Sequence, residues 1–264
     1  MHPYLFKIGS FSVPTYGILV ATGYLLSAFY IYKRNHLLNI TKEQISDILL
    51  YAIIAALLGG KLFYVVIFWD NYGLTFFEKA LNALKDFRYG FVFYGGLIIS
   101  TIFIYIYSKR KNINFLKFAD IVAPAIALGH GIGRIGCFFA GCCHGKPTNF
   151  ICAIKFNNPE SLISSELIGI PVHPTQLYSS MANFIIFIIL HFMLKKSLND
   201  NWKNGLIAAS YFLLYSIARF TVEIFRGDAR GNFIFAMSPS QVISLSGALI
   251  ALLFFYFTWK NKKH

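Results

Sequence analysis

Seven apolar stretches dominate this sequence, at roughly 14–33, 47–69, 90–108, 118–140, 174–194, 205–225 and 239–259. Each is close to the ~20 residues that a helix needs to cross a bilayer. Backbone N–H and C=O groups find no water in lipid, so such stretches fold as helices that satisfy their own hydrogen bonds. The expected fold is therefore all-α and integral to a membrane, with about seven transmembrane helices. Composition agrees: 56% of residues are hydrophobic and 13% are charged, against ~25% charged in soluble domains. Pro14 and Pro239 suit helix starts, and Ser46 or Asp47 is placed to cap the second span. Lys33 and Arg34 follow the first stretch, with no charged run before it and no small-residue cleavage site. It is expected to stay as a spanning helix, not to act as a cleaved signal.

The formal net charge is +13. In a soluble chain that would suggest nucleic acid. Here the lysines and arginines fall in gaps between apolar runs, where they hold loops to anionic lipid, so membrane lipid is the expected partner and nucleic acid is not. The amino-terminal tail and the gaps after spans two, four and six hold 8 Lys and Arg; the other gaps and the carboxyl tail hold 13. The positive-inside rule then puts the amino terminus outside and the carboxyl terminus inside. The polar segment 144–173, with Pro147, Pro159 and Pro171, faces outward as a small cap of turns and short strands, for instance at Phe150–Phe156. Between spans two and three, 74–87 sets Phe77, Ala80, Leu81, Leu84 and Phe87 on one helical face, with Glu78, Lys79, Lys85 and Asp86 elsewhere. That pattern predicts an amphipathic helix on the membrane surface. Residues 1–264 read as one polytopic domain, without internal repeats.

Five places put polar groups where lipid should be. They are His130 with Arg134, one turn apart; Lys61 after Gly59-Gly60; Arg219, Glu223 and Arg226, followed by Asp228; the run His173–Tyr178; and Tyr16-Gly17. A charge in the bilayer interior costs ~2.5–3.5 kcal/mol on insertion scales, so each needs a partner, a cavity or a ligand. Several cations around one cavity suit an anion, and guanidinium grips two phosphate oxygens at once. Within a membrane the abundant phosphate ester is a phospholipid head group. Gly129, Gly133, Gly136, Gly141 and Gly145 keep one side of the fourth span bare, which admits either another helix or a head group. Structural roles compete with each of these. The glycines can be a packing seam, Glu223 can bridge Arg219 and Arg226 as a salt-bridge cluster, Lys61 can snorkel, and His191 reads as structural.

Cys137, Cys142, Cys143 and Cys152 fall within sixteen residues. A metal site from the first three with His144 lacks the usual paired C-x2-C spacing. A redox pair is possible where disulfides persist, although a bridge between adjacent Cys142 and Cys143 would be strained. Small half-buried pocket walls are the commonest fate of free cysteine, and that reading is adopted, with no metal assigned.

Gly133-Arg134-Ile135-Gly136, Gly141, Gly145, the HPTQLY run at 173–178 and RFTVEIFRGD at 219–228 resemble the prolipoprotein diacylglyceryl transferases of bacterial inner membranes. Tyr16-Gly17, Gly59-Gly60-Lys61, Tyr94-Gly95-Gly96 and Ala119-Asp120 follow in that family's order, and the likeness runs from about residue 10 to 259. The resemblance implies seven spans, an outer amino terminus and an active site toward the outer leaflet. It implies transfer of the diacylglyceryl group of phosphatidylglycerol to the lipobox cysteine of a preprolipoprotein, with release of glycerol phosphate. The family's essential arginines fall on Arg134 and Arg219, its substrate-site tyrosine on Tyr16 and its signature glycine on Gly145. This chain departs from the pattern at Tyr94, where the family typically has histidine. Cys137, Ala140 and Cys142 stand for two asparagines and a glutamate, and Ser179 stands for a common glutamate.

On this reading Arg134 and Arg219 are catalytic and offset charge on the departing glycerol phosphate. Tyr94, His144 and His173 are the candidate proton acceptors, the imidazoles being better matched, at ~6.5, than a phenol at ~10. Tyr16, Lys61, Gly133, Gly136, Gly145, Gln176, Glu223 and Arg226 are the candidate substrate-binding residues. No cofactor is called for. Three other functions stay open: a phospholipid-dependent transferase with another acceptor, a membrane thiol–disulfide oxidoreductase using Cys137, Cys142 and Cys143, and a transporter or lipid-binding protein without chemistry.

Overall fold

A computed structural model describes residues 2–9, 11–38, 40–85, 90–228 and 237–260. Its elements are β1 (Tyr4–Ile8), β2 (Phe11–Pro14), α1 (Thr15–Tyr32), α2 (Lys42–Ile67), α3 (Phe76–Lys85), α4 (Phe93–Arg110), α5 (Phe115–Ala140), β3 (Ile154–Lys155), β4 (Pro171–Val172), α6 (Thr175–Asn199), α7 (Leu206–Ile224) and α8 (Pro239–Lys260), with short 3-10 turns between some of them. All seven apolar stretches are helical. Among the described residues six helices are long and apolar enough to cross a membrane: α1, α2, α5, α6, α7 and α8. The third expected span, α4, is not among them; it has 18 residues and its last turn carries Lys109 and Arg110. Large apolar side chains stand exposed along these helices, among them Phe192, Phe212 and Leu249. Such faces are stable only in lipid, and the chain is a multi-pass membrane protein.

The chain forms two compact units, residues 32–118 and residues 1–31 with 119–264. In the first, α2 starts earlier than expected. Thr41, not Ser46 or Asp47, is its N-cap: the Thr41 hydroxyl accepts from Gln44 N at 3.1 Å, and the Gln44 side chain accepts from Thr41 N at 2.9 Å. This reciprocal pair satisfies two orphan donors, which Ser46 cannot do from inside the helix. Ser46 donates to the Lys42 carbonyl, and Asp47 accepts from Tyr107 at 3.4 Å. Helices α2 and α4 meet backbone to backbone: a Cβ on Gly59 would lie 2.6 Å from the Gly95 carbonyl oxygen. Helix α3 forms within the expected amphipathic segment, with Phe76, Phe77 and Leu81 exposed; Asp86 and Phe87 lie outside the described residues.

The second unit carries α1, most of α5, α6, α7 and α8. Helix α5 is its most enclosed span, with 44% of its apolar window buried against 11% for α8. Ser27 on α1 donates to the Ala125 carbonyl, and Ser180 on α6 donates to the Gly131 carbonyl. Gly129 faces Gly23 and Ser27, and Gly136 faces the Tyr16 ring. Much of the bare stripe on α5 is thus a packing seam for α1. Asp120 on α5 accepts from Gly205 N, Ile207 N and Ala208 N at 2.6–2.9 Å, serving the free donors at the start of α7. His191 meets Tyr30 at 3.0 Å, a structural tie between α6 and α1.

Segment 144–173 folds as a small cap. Strands β3 and β4 pair Ile154 with Val172 and Lys155 with Pro171. Buried Phe156, Ile163 and Val172 pack with Phe138 and Leu167. A β1–β2 hairpin, not expected from the sequence, precedes α1 in register Phe6↔Val13 and Ile8↔Phe11. Its Lys7 pairs with Glu160 of the cap.

Candidate active site

The last turns of α5 and the end of α7 bring the guanidiniums together. Arg134 Nε donates to His130 Nε2 at 3.1 Å, so that imidazole nitrogen carries no proton. Among the described residues no carboxylate pairs with Arg134. Arg219 lies on α7, where Nη2 meets Glu223 Oε2 at 2.7 Å and donates to Ser240 Oγ at 2.8 Å. Arg134 and Arg219 line one small pocket with His130, Ser179, Asn183 and Tyr215. Asn183 is buried; its Nδ2 donates to the Ser179 carbonyl, while its Oδ1 has no hydrogen-bond partner among the described residues.

Glu223 anchors the charged cluster. Beyond Arg219 it accepts from Ser238 Oγ at 2.9 Å and lies 3.8 Å from Arg226 Nε. The bridging role expected for Glu223 is present but unequal, because Arg226 forks onto Asp228 through bonds of 2.8 and 2.7 Å. Ser238 also caps α8, accepting from Gln241 N while the Gln241 side chain accepts from Ser238 N. The start of α8 is thereby tied to the α7 carboxylate.

Gly145 is the knot joining three segments. Its N donates to the His173 carbonyl at 2.9 Å, and its backbone bridges Arg226. A Cβ there would lie 2.5 Å from His173 Cβ and 2.7 Å from the Phe225 carbonyl oxygen, so only glycine fits. The HPTQ run then serves the loop after α5: Thr175 Oγ1 donates to the Cys143 carbonyl and Gln176 Nε2 to the Cys142 carbonyl, each at 2.7 Å. Gln176 is fully buried, and its amide is engaged by this loop.

Where α5 runs into that loop, the sulfurs of Cys137, Cys142 and Cys143 all lie within 4.8 Å of one another. The Cys143 thiol is drawn below its ordinary range by hydrogen bonds with Cys137 and Cys142, and further by Arg226, with burial opposing. The Tyr16 hydroxyl interacts electrostatically with all three sulfurs and with Arg134. Gly133 has Val20 at 4.0 Å from a would-be Cβ, the most open glycine of the stripe beside the pocket. His144 is buried, with Nδ1 3.0 Å from the Gly145 carbonyl oxygen. His173 Nδ1 lies 3.2 Å from the Tyr178 hydroxyl.

Lys61 and Tyr94 belong to the other unit. Lys61 does not snorkel to the surface: it is 5% exposed, with Nζ 5.4 Å from the Tyr64 ring centroid. Tyr94 is half exposed beside Phe93. Sequence reasoning missed Ser238, Ser240 and Asn183. The S-x-x-Q spacing of Ser238 and Gln241 ahead of an apolar run is a capping box that could have flagged the first. The spacing of four between Ser179 and Asn183 sets two polar side chains on one face of an apolar helix, which could have flagged the last.

Residues 3–257 match the model of the family described as prolipoprotein diacylglyceryl transferase. A phosphatidylglycerol–prolipoprotein diacylglyceryl transferase of Clostridium tetani is 36% identical over 255 residues, covering 97% of each chain. One of Finegoldia magna is 38% identical over 242 residues, 91% of this chain and 89% of its own. A protein of Clostridium perfringens named phosphatidylglycerol–prolipoprotein diacylglyceryl transferase 2 is 32% identical over 239 residues, 90% of this chain and 88% of its own. With a match this long, and with arginines of α5 and α7 facing one pocket, the chain belongs to the prolipoprotein diacylglyceryl transferase family.

Proposed function

We propose that this protein transfers the diacylglyceryl group of phosphatidylglycerol to a cysteine thiol of a prolipoprotein. The sulfur attacks the glycerol carbon that bears the phosphate, a C–S bond forms, the C–O bond breaks, and glycerol phosphate leaves with the electron pair. The observation that carries this reading is the shared pocket of Arg134 and Arg219. Two forked cations from separate helices hold the phosphate and stabilise the charge that grows as it departs. Two guanidiniums suit a head-group phosphate whose acyl chains remain in lipid.

Glu223 and Arg226 fix Arg219 and the end of α7. Gly145 and Gln176 hold the loop after α5, while Gly133 leaves room beside Arg134 and Gly136 lets the Tyr16 ring approach α5. His144 and His173 are the imidazole candidates for receiving the thiol proton. The protein has seven spans, with α4 as the third and the amino terminus outside. It resides in the bacterial inner membrane with its site toward the outer leaflet, 144–173 as an outer cap and α3 on the surface.

The test is transfer to a lipobox peptide by purified protein in phosphatidylglycerol micelles, read as released glycerol phosphate. Wild type turns over. Arg134→Ala and Arg219→Ala each lose about 10²–10³-fold in kcat, as when one preorganised charge-stabilising donor is removed. Arg134→Lys keeps the charge but not the fork, and stays well below wild type. Full activity in both alanine variants would sink the proposal.

A further inference from the structure

Three of the four cysteines meet at one point that the reaction described above does not use. Cys137 lies in the last turn of α5, and Cys142 and Cys143 in the loop that follows, with all three sulfurs within 4.8 Å of one another. In a tetrahedral zinc–thiolate site, bonds of about 2.3 Å put neighbouring sulfurs about 3.8 Å apart. The three sulfurs need little movement to reach that spacing. The C-x4-C-C order hides the site from a search for paired motifs, because the helix end supplies the convergence. Gly141 at φ 79° ends the helix, and Cys143 at φ 61° turns its side chain back.

The loop is held from outside by Thr175 and Gln176, which take the carbonyls of Cys143 and Cys142. A disulfide suits the group less well: the adjacent pair would be strained, and any pair leaves one sulfur over. Three soft sulfur donors select zinc or Cu(I) over hard cations. Zinc with three thiolates carries a net charge of −1 and −2 with a fourth. Arg134 stands one helical turn before Cys137 on α5, and Arg226 bridges Gly145 two residues after Cys143, so two cationic residues flank the group and oppose that charge. His144 is not in the group, and its Nδ1 faces the Gly145 carbonyl. The fourth tetrahedral position is therefore left for something else.

We propose that Cys137, Cys142 and Cys143 bind a zinc ion whose fourth position takes the acceptor cysteine of the prolipoprotein as a thiolate. This rests on the transferase reading above. A thiol that coordinates zinc gives up its proton, which passes to solvent, so no side-chain base is required at the moment of attack. The bound sulfur forms the C–S bond as the C–O bond to phosphate breaks, and the electron pair leaves on glycerol phosphate. The thioether product is a weak ligand and departs; nothing is oxidised or reduced. The Tyr16 ring packs on Gly136, the residue before Cys137 and two after Arg134.

The test uses the full-length protein purified in detergent under reducing conditions. Elemental analysis is expected to find one zinc per chain. Exchange with Co²⁺ is expected to give the intense near-ultraviolet bands of thiolate-to-cobalt charge transfer. Both signals persist in Cys152→Ser, whose thiol is exposed and outside the group, and are lost in Cys142→Ser. Removing zinc with a chelator lowers transfer at least about 10²-fold, the lower contribution of a positioned proton acceptor, and added zinc restores it. The cobalt spectrum of wild type needs no variant to fold, and its lack of thiolate bands would overturn the site. Full transfer by metal-free protein would overturn the role in thiol activation while leaving the transferase standing. Zinc-loaded protein that releases no glycerol phosphate with a thiol peptide would instead overturn the transferase reading, and the acceptor role with it.

Discussion

Glu223 sets how Arg219 can serve a phosphate. Its carboxylate holds Nη2 at 2.7 Å and is itself held by Ser238. Removing one member of a buried charge pair leaves the other uncompensated, at a cost of about 3–5 kcal/mol. Glu223→Gln is therefore expected to melt several degrees lower in detergent. Added phosphatidylglycerol, whose phosphate replaces the lost negative charge, should raise its melting temperature more than it raises that of wild type. Equal shifts in the two proteins would show that Arg219 does not meet the lipid phosphate. At this scale the charges were legible, because Arg134, Arg219 and Glu223 interrupt apolar runs. Their neutral partners were not. Ser240 reaches Arg219 from the next helix, and Gln176 spends its amide on the Cys142 carbonyl, beyond the end of the GRIG motif. No spacing rule on one helix reports a contact made by another.

Helix ends carry two predictions at the scale of the element. Asp120 serves three N–H groups at the start of α7. A buried donor left unsatisfied costs about 1–3 kcal/mol, so Asp120→Ala should lower the melting temperature. It should spare kcat of the folded fraction, because fourteen residues of α5 place Asp120 about 21 Å from Arg134 along the helix. A kcat loss as large as that of Arg134→Ala would contradict this division. Glu78 caps α3: its carboxylate accepts from Leu74 N and Thr75 N at 3.2 Å. The N–H groups of Thr75 and Leu74 hold its pKa below the ordinary carboxylate value of 4.5. A carboxylate with a depressed folded-state pKa stabilises above the unfolded value and loses that contribution as pH falls through the folded value. Hydrogen exchange over 76–85, corrected for intrinsic rates, should show steady protection from neutral pH down to about 4.5 and loss below it. Glu78→Gln should show no such acid step. The helices themselves were legible from apolar length. The start of α2 was not, because Thr41 lies ahead of the apolar run. The β1–β2 hairpin was also missed: Leu5, Phe6 and Ile8 are all exposed, so no buried alternation marks the strands.

Over the whole molecule the charge asymmetry makes a claim about sides. The surplus of Lys and Arg on alternate gaps predicts 144–173 on the outer face, and with it the loop that joins the guanidinium pocket to the cysteine group. Cys152 tests this directly, since it is exposed within that segment. A membrane-impermeant maleimide added to intact spheroplasts should modify Cys152, identified by peptide mass, to the same extent before and after lysis. Modification only after lysis would turn the protein over and put its acceptor on the cytoplasmic side. The same experiment bears on α4, the one expected span outside the six. With α1, α2 and α5 crossing, α4 must cross as well for Cys152 and the amino terminus to share a side, because an even number of crossings has to separate them. Outer labelling of Cys152, together with an outer amino-terminal tag, thus requires four crossings before the cap and makes α4 a span despite its basic last turn.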